Sequence, residues 1–201
     1  MACDIYYNAF DLEKVEDQTK PRRGGILFND KEIDIINNTL KELPWKKAQL
    51  NNPGGSEKID EKIRISDIKF IPFDNKTEWF YKKIFGKTKE MNEKYYNFKL
   101  HGLVDNLQYG RYLEDGKYEF HIDNGSGKAK YRKLSCSILL SDPSDFEGGN
   151  FQIYNSCKIS NYNLKKGEII FFPSWTLHRV KPVTDGERMS LVGWFGGTPY
   201  Q

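Results

Sequence analysis

The sequence predicts an α+β protein: helices come first and pack on one face of a double-sheet jelly roll that fills the second half. Three observations carry that expectation. The chain has 201 residues, the size of one domain. Apolar residues recur at helical spacing in two stretches before residue 97. After Phe98 the texture changes to short aromatic and β-branched runs cut by turn signals, EDG, DNGSG, SDPSDFEGG, KKG, PSW and TDGE. Many short strands so spaced make a sandwich or a barrel.

Residues 1–25 end in KPRRGG and have weak periodicity, so they are expected as a lead-in strand or tail, with residues 26–201 forming a single domain. A helix from Asn29 brings Ile33, Ile36, Leu40 and Leu43 to one face, with Asn29 or Asp30 as its cap and Pro44 as its stop. The polar segment Gln49 to Lys62 holds Pro-Gly-Gly and is expected to be a mobile loop between strands. Ile63 and Ile65, then the run from Ile68 to Phe73, are β-like. A second helix is expected from about Thr77 to Tyr96, where Trp79, Phe80, Ile84, Met91 and Tyr95 offer an apolar stripe that Gly86 weakens.

Composition excludes several functional classes. Thirty-one basic and 28 acidic residues are interleaved and leave a net charge of +3. The nearest thing to a basic run, Lys128 to Lys133, reads as a solvated loop, so no nucleic-acid partner is expected. No stretch approaches the roughly 18 apolar residues of a membrane span. The opening MACDIYYNAF has neither the basic nor the apolar part of a secretory signal, and Cys3, Cys136 and Cys157 form no CxxC pair. A cytoplasmic protein without a membrane partner is the expectation. The oligomeric state is not legible.

The chemistry lies in the second half. In YEFHIDNG, His121 and Asp123 are two apart in a strand-like run, so they share a face about 6.5–7 Å apart at the backbone. His178, in SWTLHRVKPV, is the candidate for a third ligand. Two imidazoles and one carboxylate on one side of a metal leave its other positions open, the facial triad of non-haem Fe(II) oxygenases. A lone HxD is common by chance; the joint pattern with Arg188 is what gives it weight. Fe(II) and one aspartate carry +1, a bound dicarboxylate takes the site to −1, and one buried arginine restores neutrality while offering a planar fork. A two-residue hairpin at Asp185-Gly186 would turn Arg188 to the wrong face. An odd-length loop or bulge between Val180 and Arg188 is therefore expected, with Pro182 as its marker.

The ordered set His121-x-Asp123, Gly148-Gly149, FFPSWTLHRVKPV and Arg188-x-Ser190 closely resembles the Fe(II)- and 2-oxoglutarate-dependent oxygenases, in particular the prolyl-4-hydroxylase-like (PKHD-type) branch. The resemblance spans about Leu103 to Phe195. It implies a double-stranded β-helix core at about 99–196, with His121, Asp123 and His178 as iron ligands and Arg188 on the distal carboxylate of 2-oxoglutarate. Tyr109 resembles a tyrosine that bonds the same carboxylate, with Tyr112 as competitor. Val180 and Trp194 resemble walls of the co-substrate pocket, as does Phe151, and each is equally an ordinary core residue. Tyr118 is placed toward the open side of the metal. Where relatives carry a second tyrosine, SILLS has only leucines; Leu139 can line the pocket, and Ser190 can compensate as a donor. Trp194 stands where the nucleic-acid demethylase branch has a second arginine. The retained Asp123 favours hydroxylation over halogenation.

The activity implied is hydroxylation of a C–H bond, of a prolyl residue in a peptide or protein. It uses Fe(II), O2 and 2-oxoglutarate, releases succinate and CO2, and is supported by ascorbate. Tyr118 and Trp175 are candidates to pack on a proline ring. Two other classes stay open: a zinc hydrolase, which shares the ligand types but needs a general base that no flanking Glu supplies, and a non-catalytic jelly-roll binding module. His101, with Asp105 four residues on, is read as structural.

Overall fold

A computed structural model of the chain describes residues 17–51, 57–155 and 158–199. Helix α1 (Asp30–Leu40) begins in a capping box. Asn29 Oδ1 accepts from the Glu32 N–H at 3.1 Å, and Glu32 Oε2 accepts from the Asn29 N–H at 2.9 Å. Its buried stripe is Ile33, Ile36 and Leu40. The helix stops at Leu40, ahead of Pro44, where the buried Lys69 ammonium donates to the Leu40 carbonyl at 2.8 Å and to that of Lys41 at 3.3 Å. A cation on orphan carbonyls also complements the negative end of the helix. Helix α2 (Glu78–Met91) buries Phe80, Tyr81, Ile84, Thr88 and Met91, leaving Gly86 on its exposed side. One π-helical turn (Asn92–Tyr96) extends it to the left-handed Asn97.

The strands are numbered in chain order. The larger sheet runs β1 (Arg22–Ile26), β14 (Glu168–Pro173), β10 (Arg132–Leu139), β17 (Arg188–Gly197), β8 (Gln108–Tyr112), β6 (Asp67–Phe70) and β2 (Lys46–Lys47), with β7 (Leu100–Leu103) on the far end of β17. The smaller sheet runs β13 (Lys158–Asn161), β12 (Phe151–Asn155), β15 (Leu177–Val180), β9 (Lys117–His121) and β5 (Arg64–Ile65). Two short ribbons complete the set: β3 (Leu50–Asn51) with β4 (Glu57–Lys58), and β11 (Phe146–Gly148) with β16 (Val183–Gly186).

Strand alternation divides the interior in two. From β14, Ile169 and Phe171 join the helices in one apolar cluster, with Leu134, Cys136 and Ile138 of β10 and Leu191 and Phe195 of β17. Ile170 and Phe172 point the other way, into a second cluster with Leu139, Phe151, Ile153 and Val180 between the sheets. Each fully buried large side chain contributes roughly 1.5–3 kcal/mol. A strand covered on both faces reads as a continuous apolar run, as EIIFFP does.

Two expectations change and a third is met. The expected loop from Gln49 to Lys62 carries the β3–β4 ribbon, while residues 52–56 lie outside the described residues, as do 1–16 of the lead-in. The basic run is not a solvated loop: Gly127–Tyr131 is a 3-10 turn, and Arg132 and Lys133 open the central strand β10, Lys133 at 8% exposure. The expected bulge between Val180 and Arg188 is present: Thr184 is the extra residue of β16 between the pairs Asp185 with Glu147 and Val183 with Gly148, and no hairpin joins β15 to β17. The two strands belong to different sheets, and the chain crosses between them through β16. Alternation across one turn therefore does not govern Arg188. Among the described residues no helix is long and apolar enough to cross a membrane.

Candidate metal centre

The crossing puts two functional strands face to face across one cavity. In the smaller sheet β9 and β15 are antiparallel, and His121 is the direct register partner of His178. Each imidazole is oriented by its own strand. Nδ1 of His121 lies 2.8 Å from the Glu119 carbonyl, and Nδ1 of His178 lies 2.8 Å from that of Thr176. A carbonyl only accepts, so both Nδ1 atoms carry the proton and both Nε2 lone pairs face inward. Asp123 follows the end of β9. Its N–H donates to the Ser174 carbonyl at 2.8 Å, and its own carbonyl accepts from Arg132 Nη1 at 3.2 Å.

The donor atoms of His121, Asp123 and His178 all lie within 4.8 Å of one another. Asp123 Oδ1 is 3.7 Å from the first Nε2, and Oδ2 is 3.7 Å from the second. Those separations are too long for hydrogen bonds. Asp123 Oδ2 is buried with no hydrogen-bond partner among the described residues, a costly state for a carboxylate oxygen. Burial, then the neighbouring His178, pushes the His121 pKa down to about 3, so the ring is neutral. Burial alone would raise Asp123, but His178 and His121, the hydrogen bond from Ser135 and the Arg132 charge together hold the carboxyl below the usual range. Two inward-facing Nε2 atoms and an ionised carboxylate converge on one point. That donor set fits Fe(II) or Zn(II).

A cavity of about 490 Å³ between the sheets holds the triad and Arg188 together. Arg188 is 3% exposed and forms no ion pair with any acid among the described residues; its guanidinium carbon stands 5.6 Å from the Tyr112 ring centroid. Burial lowers its pKa from the ordinary value, opposed by Tyr112, and an arginine stays charged all the same. Val180, Ser190, Trp194 and Phe151 line the same cavity. So does Tyr118, half-buried and stacked on His121 with ring centroids 3.5 Å apart.

Two expected contacts fail. Tyr109 faces the helices: its hydroxyl donates to Asn37 Oδ1 at 2.8 Å, and its ring stacks on Trp45. On β8 it is Tyr112, three residues on and across the pleat, that enters the cavity. Trp175 lies off the cavity lining, half-buried and packed on Phe98 at 5.5 Å. Leu139 lines a second cavity of about 330 Å³, which has Arg188 and Phe151 in its wall as well. His101 is exposed on β7, whereas Asp105 binds Arg132 Nη2 at 2.6 Å. Sequence reasoning passed over Arg64 and Arg132, both in the cavity lining. The available signal for Arg64 was its place between Ile63 and Ile65 in a strand.

Comparison with known proteins agrees with this geometry. The sequence profile of the 2OG-Fe(II) oxygenase superfamily matches residues 107–196, the stretch that holds every donor described above. That match takes in just under half of the chain. The chain is also similar to a PKHD-type hydroxylase of Synechococcus elongatus, 41% identical over 95 residues, covering 45% of this chain and 43% of the relative. The chain thus matches less than half the length of that relative. Its fold is that of a Pseudomonas putida prolyl-4-hydroxylase (TM-score 0.67, 19% identity, 94% of this chain and 96% of that one). It is also that of a Trichoplax adhaerens prolyl hydroxylase solved with a hypoxia inducible factor peptide fragment (TM-score 0.70, 17% identity, 90% and 84%).

Proposed function

We propose that this oxygenase hydroxylates a prolyl residue of a peptide or protein, with Fe(II), 2-oxoglutarate and O2 as cofactor and co-substrates, releasing succinate and CO2 and supported by ascorbate. The observation that carries the reading is the shared cavity: a three-donor cluster with an orphaned carboxylate oxygen lies across it from a buried arginine that has no acidic partner among the described residues. Fe(II), when bound, supplies the activation of oxygen coupled to decarboxylation of the 2-oxo acid.

The chain's own residues do the rest. His121 Nε2, His178 Nε2 and the Asp123 carboxylate hold the metal. Arg188 takes the distal carboxylate of 2-oxoglutarate, with Ser190 beside it and Tyr112 under the guanidinium. Val180, Trp194 and Phe151 exclude water around the reacting atoms. Tyr118, stacked on His121 and facing the cavity, is positioned against the substrate. The peptide class is supported by the resemblance to prolyl hydroxylases, one of them solved with a peptide.

The test is succinate formation from 2-oxoglutarate with Fe(II), ascorbate and oxygen, with mass spectrometry of proline peptides for one added oxygen. His121→Ala should abolish turnover. Arg188→Ala should raise KM for 2-oxoglutarate by about thirtyfold or more, the equivalent of at least 2 kcal/mol for a buried charged partner. Hydrolysis with zinc and no turnover with Fe(II) would replace this reading with a hydrolase. Oxygen on lysine or on a free amino acid would move the substrate.

A further inference from the structure

Three arginines line the cavity, and their electrostatic situations differ. Arg132 is neutralised by Asp105 at 2.6 Å and covers the Trp194 ring at 4.0 Å. Arg188 belongs to the co-substrate in the reading above, on which the present inference rests. Arg64 is the third. It is 8% exposed, its Nε donates to Ser66 Oγ at 2.8 Å, and its guanidinium lies 4.4 Å from the Tyr118 ring centroid. No carboxylate among the described residues pairs with it, and its terminal nitrogens have no acceptor there.

Charge bookkeeping isolates this residue. With metal and 2-oxoglutarate bound, dication and dianion cancel, Asp123 offsets Arg188, and Asp105 offsets Arg132. Among the described residues one charge on the cavity wall is left without a counterpart, the largely buried guanidinium of Arg64. A buried charge is tolerated when it is paired and hydrogen-bonded. The Tyr118 ring, 4.4 Å from the guanidinium, offsets part of the cost of burying the cation, and a carboxylate would supply the missing counter-charge. Ser66 fixes Nε, so the two terminal nitrogens present a preset fork of the kind that a carboxylate accepts in bidentate fashion.

We propose that Arg64 receives a carboxylate of the substrate, so that the peptide oxidised here carries a C-terminal carboxylate or an acidic side chain next to the target residue. The reach follows from the stack. Arg64 is separated from the His121 ring by two steps, of 4.4 and 3.5 Å, comparable to two residues of extended chain at about 3.3 Å each. The anion therefore lies within two residues of the oxidised carbon. An arginine that merely bonds peptide carbonyls would show no preference for charge.

Matched peptides separate these cases. One acetylated proline scaffold is made as the amide, as the free C-terminal acid, and as amides with Asp or Asn beside the proline. Each is titrated by calorimetry into anaerobic enzyme loaded with Fe(II) and 2-oxoglutarate. The expected result is that at least one acid binds about tenfold or more tighter than its neutral twin; the arm that does so tells terminus from side chain. Arg64→Gln should bring that ratio close to one, and Arg64→Lys should retain part of it, with melting temperatures confirming that both variants fold. Equal affinities within each pair, no binding in any arm, or a ratio that survives Arg64→Gln would overturn the proposal. Failure of the oxygenase reading looks different: 2-oxoglutarate neither binds nor yields succinate before any peptide is added.

Discussion

Tyr109 and Tyr112 are three residues apart on β8, and that odd spacing sends them to opposite faces of the larger sheet. One ring supports the helix layer through Asn37 and Trp45; the other lies under Arg188. Tyr109→Phe should cost about 1 kcal/mol in urea unfolding, for one lost hydrogen bond, without moving KM for 2-oxoglutarate. Tyr112→Leu should raise that KM severalfold while the melting temperature changes little; steady-state assays of both variants check the pair. The triad was legible because HxD on a strand is a local pattern and Arg188 completes a charge balance. The choice between the tyrosines was not, since the register of β8 against β17 depends on partners about 80 residues away in the chain. Arg64 and Arg132 were missed for a related reason: a charged residue in a strand, as Arg64, or in a basic run read as a loop, as Arg132, defaults to solvent, and only the packing of the two sheets makes it part of a cavity wall.

Elements with local signals were read well. The capping box at Asn29, the stripe of α1 and the stripe of α2 are each written within about a dozen consecutive residues. What escaped was tertiary: the Lys69 side chain that closes α1 early, and the ribbon inside the expected loop. Gly148 and Gly149 show how an element turn serves the site. Both have positive φ, 71° and 56°, and a Cβ on Gly149 would stand 3.0 Å from Arg188 Cδ. Gly149→Ala must therefore both strain the turn, by roughly 1–2 kcal/mol, and displace the arginine stem. The expected outcome is a several-fold rise in KM for 2-oxoglutarate with kcat nearly intact. A loss of stability alone, seen by thermal melting with KM unchanged, would show that the turn and the arginine are independent.

At the scale of the molecule, the two-sheet interior and the helix layer bury phenols as well as hydrocarbons. Burial holds Tyr81 and Tyr96 above the ordinary phenol range, does the same to Tyr109, and pushes Tyr118 up to about 12. Phenols of the unfolded chain ionise near 10, so the stabilisation is complete below that pH and is lost as pH rises through the higher folded values. Melting temperature should hold to about pH 10 and then fall, with tyrosinate absorbance at these sites appearing together with unfolding rather than ahead of it. The overall architecture was legible from turn spacing and strand texture. The route between sheets was not, because a crossover and a hairpin use the same turn residues.

The register pairing of His121 with His178 makes metal affinity a property of topology. An unfolded chain offers only the HxD pair, since the third ligand is 57 residues further along, and closing that loop is an entropic cost paid during folding. Metal therefore binds the native ladder far better than the denatured ensemble, and by mass action adds about 2.7 kcal/mol of stability at one hundred times its dissociation constant. Stripping the ion with a chelator should lower the melting temperature by several degrees in the wild type and not in His178→Ala. On the proposed reading the ion would act as a checkpoint on assembly, rewarding only chains in which two distant segments have found one another in the correct alignment.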